Sequence, residues 1–329
     1  MSLRVPRSIM SVQFFCCNAF TSVPFRGNPA TVCLRPSSAV ARALTPERMK
    51  SIAGELTLVE SAFVLPPKLP KSDFSLRFFT RAKEMTFCGH ATLAAAHIVC
   101  QEVPDFADAT QVLFGCENGS VVIVKRLPGG LYELDLKPSL PSPLVDASLE
   151  KSVRAALGLQ LAGPEVKALL NHPSSKNLIV VLQDASTVIA VKPDSAKIVD
   201  LGDDYQKVTV TAIPRRPECN TAADKQSSSV DDGLGTESQW LQYDFVSRLF
   251  APRIGIAEDA VSGATHAILA QYWSKQPEAL RRGDVVRAFQ ASTRGGEINM
   301  VLRGKRVGVA GSCVVVARGV LTVRIRSNM

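Results

Sequence analysis

Residues 84–92 read Glu-Met-Thr-Phe-Cys-Gly-His-Ala-Thr, and residues 258–266 read Glu-Asp-Ala-Val-Ser-Gly-Ala-Thr-His. Each stretch follows an aromatic lead-in, Phe78-Phe79-Thr80-Arg81 in one case and Phe250-Ala251-Pro252-Arg253 in the other. Each holds an acid, a small residue and a glycine, then enters an alanine-rich apolar run. A strand–glycine–helix junction used twice predicts two similar halves facing each other across a cleft. Two helix N-termini there suit a small anionic ligand, because unpaired N–H groups and the positive dipole end both point at it.

The runs after the two glycines set the architecture. Ala91–Val99 favours helix and is apolar nearly all round, and Ala264–Tyr272 has the same character. A helix without a polar face is a buried one. Strand patterns surround both. They fall at Val12–Phe20, Ala30–Leu34, Glu60–Leu65, Phe74–Phe79, Gln111–Phe114, Ser120–Lys125 and Leu131–Leu136, then at Leu178–Leu182, Lys207–Pro214 and Tyr243–Phe250, with a β-rich tail over Asp284–Arg326. The expected fold is therefore α+β, with a barrel-like sheet wrapped around a central helix and built twice. Further helices are expected from Pro46 to about Gly54, with Thr45 as N-cap, over Leu149–Leu157 with Gly158 ending it, and over Asp194–Leu201. The proline-rich Lys137–Pro143 marks the domain boundary, and the polar Cys219–Gly235 reads as a surface loop.

Composition narrows the function classes. The chain of 329 residues is 46% hydrophobic and 21% charged, and no apolar run approaches the length of a membrane-spanning helix. Its net charge of +8 comes from scattered Lys and Arg, with only short pairs such as Arg215-Arg216, so a nucleic-acid partner is not expected. The eight cysteines form no Cys-x-x-Cys pair and mostly lie in apolar runs, which speaks against a zinc motif and a disulfide scaffold. The reading is a cytoplasmic protein. The acid-free, arginine-bearing stretch before Glu47 makes organelle import the minority alternative.

Several segments, taken in order, resemble the phenazine biosynthesis PhzF-like family, which has the diaminopimelate epimerase-like fold. They are Phe25-Arg-Gly-Asn-Pro-Ala30, Glu60-Ser-Ala-Phe-Val64, Leu76-Arg-Phe-Phe-Thr80, Cys88-Gly-His-Ala-Thr92, Phe250-Ala-Pro-Arg-Ile-Gly-Ile256, Glu258–His266, Tyr272-Trp273, Gln290 and Arg294-Gly-Gly296. The resemblance spans about Val12 to Leu321. It implies two pseudo-symmetric domains, 1–137 (completed by about 312–329) and 138–311, with the active site between them. It also implies cofactor-free and metal-free acid–base chemistry on a small anionic metabolite, and a homodimer.

The same resemblance assigns roles. Glu60 on its own reads as a solvated acid at a strand edge; the family match makes it the residue that shuttles a proton, sheltered by Phe63 and Leu58. His90 reads alone as a helix-capping or core histidine; the family gives it substrate binding or polarisation, and its place at a helix N-terminus predicts the neutral form. Asp259 reads alone as helix-entry charge and, by resemblance, orients substrate or shares in the proton transfer. Glu258 is expected to be its exposed neighbour. Asn28, Gly89, Gly263, Ala264, Gln290 and Arg294 are the implied substrate contacts. Ala264 stands where the family usually has serine and Ser262 where it has threonine, so one substrate hydrogen bond is missing unless Thr265 replaces it. In the epimerase branch of the fold, two cysteines precede the two glycines. Here those positions hold Cys88 and Ser262, and a serine is too weakly acidic to act as the second base, so Cys88 is expected to be a packing residue. His97 and His266 are expected in the core. Two alternatives stay open: a racemase using Cys88, and a metabolite-binding protein without turnover.

Overall fold

The computed structural model describes residues 7–34, 38–56, 60–214, 240–276 and 285–326. The chain divides into two compact units, Met1–Asp135 with Ala310–Met329, and Leu136–Val309. In chain order the first contains β1 (Arg7–Ala19), β2 (Asn28–Leu34), helices α1 (Ser38–Ala43) and α2 (Pro46–Glu55), β3 (Ser61–Leu65), β4 (Phe74–Phe79), β5 (Glu84–Met85), α3 (Gly89–Glu102), β6 (Gln111–Gly115), β7 (Val121–Leu127) and β8 (Leu131–Leu136). The second contains β9 (Ser142–Leu144), α4 (Ala147–Leu157), β10 (Val166–His172), β11 (Asn177–Leu182), α5 (Ala185–Ala190), α6 (Ser195–Val199), β12 (Lys207–Ala212), β13 (Phe245–Ala251), β14 (Ile256–Asp259), α7 (Gly263–Trp273), β15 (Val285–Gln290), β16 (Gly296–Arg303) and β17 (Arg306–Gly311). The chain then returns to the first unit as β18 (Cys313–Arg326).

The two units share one pairing scheme. In the first, β18–β1, β1–β2, β3–β4, β4–β5, β6–β7 and β7–β8 are antiparallel, whereas β2–β3 and β4–β6 are parallel. In the second, β9–β10, β10–β11, β12–β13, β13–β14 and β15–β16 are antiparallel, whereas β11–β12 and β13–β15 are parallel. Each parallel pair needs a crossover connection. Two short helices supply the first in each unit, α1 and α2 or α5 and α6, and the long buried helix supplies the second.

That helix is what each sheet wraps. Residues Ala91–Cys100 of α3 are all buried, against β1, β2, β3, β7 and β18. Alanines at 91 and 94–96 let the strands approach, while burial of Leu93, Ile98 and Val99, none of them accessible, contributes on the order of 5 kcal/mol. In α7 the neighbours of the sheet are polar as well as aromatic. His266 stacks on Phe245 at 5.6 Å, and Trp273 Nε1 donates to Thr211 Oγ1 at 3.1 Å. This is the α+β, twice-built architecture of the diaminopimelate epimerase-like fold.

Local signals account for the clearest elements. Thr45 Oγ1 accepts from Arg48 N and Pro46 opens α2, while Gly158 takes the left-handed conformation (φ +67°) that ends α4. The proline-rich Lys137–Pro143, expected as linker alone, ends in β9, an edge strand on β10 whose Pro143 gives up no bond a central strand would need. The Cys219–Gly235 stretch and Leu58 lie outside the described residues. Among the described residues no helix is long and apolar enough to cross a membrane. Of the described cysteines, six are buried, Cys16 is half-buried and none is in a disulfide.

Candidate active site

Glu60 is the residue immediately before β3, and its backbone carbonyl accepts from Thr31 N on β2 at 2.9 Å. This bond anchors the residue at the end of the parallel β2–β3 pair. The side chain is buried (residue exposure 7%), and its Oε2 lies 3.3 Å from Nε2 of His90. His90 is the second residue of α3, which begins where Cys88 is still extended (φ −145°, ψ 106°). The first turn of α3 therefore presents its backbone N–H groups beside the pair. Burial opposes charging of the imidazole, but the Cys88 sulfur and the Glu60 carboxylate outweigh it and hold the His90 pKa well above the usual histidine range. The shift therefore runs opposite to the one expected from the helix N-terminus, toward the charged form.

Cys88 belongs to the same cluster. Its sulfur is 3.5 Å from His90 Nδ1 and 3.8 Å from Nε2. The side chain is buried, as a packing residue would be, yet it points at the imidazole. Gly89, between the two, is half-buried. Asn28 is buried as the first residue of β2, opposite Ala19. Gly27 before it has φ +68°, and a side chain there would collide with the Ala19 carbonyl, so the turn into Asn28 requires glycine.

The second unit repeats the helix entrance with other side chains. Ser262 is the N-cap of α7, accepting from Thr265 N and donating to Thr265 Oγ1 at 3.0 Å. Thr265 is buried and committed to this cap, so its hydroxyl does not stand in for the serine missing at 264. Ala264 is exposed and Gly263 half-buried. Asp259 is half-buried at the end of β14. Gln290, expected as a substrate contact, has no accessible surface. Its Oε1 accepts from Ser262 N at 2.8 Å and its Nε2 donates to the Asp259 carbonyl at 2.6 Å. It braces the Asp259–Ser262 segment from behind. Arg294 is half-buried in the turn ending at Gly295, and burial lowers its pKa from the usual arginine value. His266, expected in the core, is there: Nδ1 contacts the Ser262 carbonyl at 2.8 Å and Nε2 the Ser247 hydroxyl at 3.1 Å. Burial holds its pKa down to about 4.

One pair of features escaped the sequence reading. In the first unit Arg77 on β4 donates from Nε and Nη2 to the two carboxylate oxygens of Glu84 on β5, both at 2.8 Å, and lies over the Phe79 ring. In the second, Arg248 on β13 grips Glu258 on β14 at 2.7 and 3.3 Å and lies over Phe250. Glu258 is therefore a clamped acid and not an exposed neighbour. Arg-x-Phe followed by Glu four residues before the helix cap occurs in both copies, and was the available signal. The clamps fix the strand that delivers the chain to each helix entrance.

The frame and its entrances match known proteins along nearly the whole chain. The PhzC-PhzF family model, described as phenazine biosynthesis-like protein, matches residues 17–319. The chain belongs to this family. The phenazine biosynthesis-like domain-containing protein 2 of Mus musculus is 34% identical over 319 residues, which cover 95% of this chain and all of that one. A Pseudomonas aeruginosa protein described as an uncharacterized isomerase is 34% identical over 310 residues, 94% of this chain and 98% of its own. The crystal structure of a PhzF-family protein from Enterococcus faecalis superposes with a TM-score of 0.74 at 29% identity, covering 95% of this chain and 99% of that one.

Proposed function

We propose that this chain is an isomerase that moves a proton within a small carboxylate-bearing metabolite, without a cofactor. The observation that carries the reading is the buried Glu60–His90 pair, 3.3 Å apart at the mouth of a buried helix. In this reading the Glu60 carboxylate takes a proton from one carbon and returns it to another, and the cationic His90 stabilises the negative charge that develops meanwhile. Backbone N–H groups of the first turn of α3, at Gly89, hold the substrate carboxylate. The description of a Pseudomonas aeruginosa relative as an isomerase supports the reaction class. A homodimer in the cytoplasm is the accompanying proposal.

The test is a screen of carboxylate metabolites in heavy water with wild type and Glu60→Gln. Deuterium incorporation by the wild type that vanishes in the variant is expected; equal incorporation by both would overturn the shuttle. A racemase using Cys88 is the second reading, favoured by the contact between its sulfur and His90. It requires that iodoacetamide abolish turnover and that Cys88→Ser be inactive, whereas the shuttle leaves Cys88→Ser active.

A further inference from the structure

Glu60, Cys88 and His90 each offer one donor atom, and those atoms all lie within 4.8 Å of one another. His90 Nε2 is 3.3 Å from Glu60 Oε2 and 3.8 Å from Cys88 Sγ. A tetrahedral zinc ion, bonded at about 2.0–2.2 Å to nitrogen and oxygen and about 2.3 Å to sulfur, sets its ligand atoms roughly 3.3–3.6 Å apart. The distances from the imidazole nitrogen already match within a few tenths of an ångström. One sulfur, one nitrogen and one oxygen suit zinc and its neighbours in the transition series rather than magnesium or calcium. Packing holds all three: Cys88 is 5% exposed, and the Glu60 and His90 side chains are 10% and 12% exposed. Three protein ligands leave a fourth position open to water or a small anion.

The second unit shows that the frame alone does not make this cluster. Phe63 faces Arg77 across β3–β4, and Val210 faces Arg248 across β12–β13. Counting back along β3 and β12 sets Lys207 where the first unit has Glu60. The helix entrances set Ser262 and Ala264 where it has Cys88 and His90. An ammonium, a hydroxyl already used as a cap and a methyl group provide no comparable donor set, so one site per chain is expected.

We propose that Glu60, Cys88 and His90 bind a thiophilic divalent cation of the zinc type, and that its arrival arrests proton transfer. Binding releases two protons to solvent, one from the Cys88 thiol and one from the His90 imidazolium, and occupies the carboxylate and the imidazole nitrogen together. Binding stands apart from the isomerase reading; the arrest rests on it.

The test uses the full chain, titrated with Co2+ as a spectroscopic probe and with Zn2+ against a chromophoric chelator. Wild type, Cys88→Ala and Glu60→Gln are compared after a thermal melt has confirmed folding. One equivalent per chain and a thiolate-to-cobalt absorption band are expected in the wild type. The band should be absent from Cys88→Ala, and zinc affinity should fall at least about tenfold in both variants, the loss typical of a damaged metal site. No band in the wild type, a band retained in Cys88→Ala, or equal affinity in all three proteins would overturn the site. Should Cys88→Ala fail to fold, the Glu60→Gln affinity decides. Zinc bound with unchanged deuterium exchange would overturn the arrest. A zinc-free wild type that exchanges nothing would overturn the isomerase reading and leave the metal site standing.

Discussion

His90, partly buried, and His266, fully buried, both lie near a helix entrance, yet their pKa values move in opposite directions. His266 meets a backbone carbonyl and a serine hydroxyl, and burial keeps it neutral with a pKa of about 4. His90 meets a carboxylate and a thiol, and its pKa lies well above the usual range. The sequence placed His90 at a helix mouth and His266 in a helix core, but that the Cys88 sulfur turns toward the imidazole and that Glu60 arrives beside it from the start of β3 are matters of side-chain direction and strand pairing, so the direction of the shift was not legible. Gln290 was misread for a related reason. An amide at the end of a strand looks available until the backbone it braces is known. Gln290→Ala should cost about 2–4 kcal/mol in denaturant unfolding, because it opens a cavity and removes the side chain that bonds Ser262 N–H and the Asp259 carbonyl.

At the scale of elements, strands with a full period of alternation or a continuous apolar run were read correctly. Phe74–Phe79 and Leu131–Leu136 match residue for residue. Two-to-four-residue strands such as β5, β9 and β14 carry no period and were not seen, nor was the half-exposed β10. The clamps on β5 and β14 were hidden with them. They differ in depth: the Arg248 and Glu258 side chains are 12% and 17% exposed, whereas Glu84 is 35% exposed beside an 11% exposed Arg77. Arg248 Nη1 is also committed to the Val191 carbonyl at 2.8 Å. Glu258→Gln should therefore leave a buried guanidinium uncompensated and cost about 2–4 kcal/mol, against roughly 1 kcal/mol for Glu84→Gln, where water and Glu117 replace the lost charge. Urea melts of the two variants give the comparison, and equal costs would contradict it.

Across the whole molecule, the repeated junction disclosed that the chain builds one frame twice, while the asymmetry of chemistry between the copies emerges only when strand register aligns Glu60 with Lys207. The buried histidines also shape global stability. His97 and His266 titrate near 4 when folded and near 6.5 when unfolded. The unfolded chain thus binds more protons between those values. Their stabilisation is complete above about pH 6.5 and is lost, by several kcal/mol, as pH falls toward 4. His90, with its raised pKa, acts in the opposite sense: its contribution is present below about pH 6.5 and fades as pH rises through its folded value. Melting temperature should therefore drop between pH 6.5 and 4.5, with a shallower slope in His266→Gln; an unchanged slope would contradict this assignment. The copy that carries Glu60 should be chemically distinct because the Cys88 sulfur and the Glu60 carboxylate both raise the pKa of its histidine. NMR titration of the His90 ring in wild type and Glu60→Gln tests that directly. A cationic ring at pH 7 in the wild type, with a clearly lower pKa in the variant, is the predicted result, whereas a neutral wild-type ring, or the same titration in both, would contradict it.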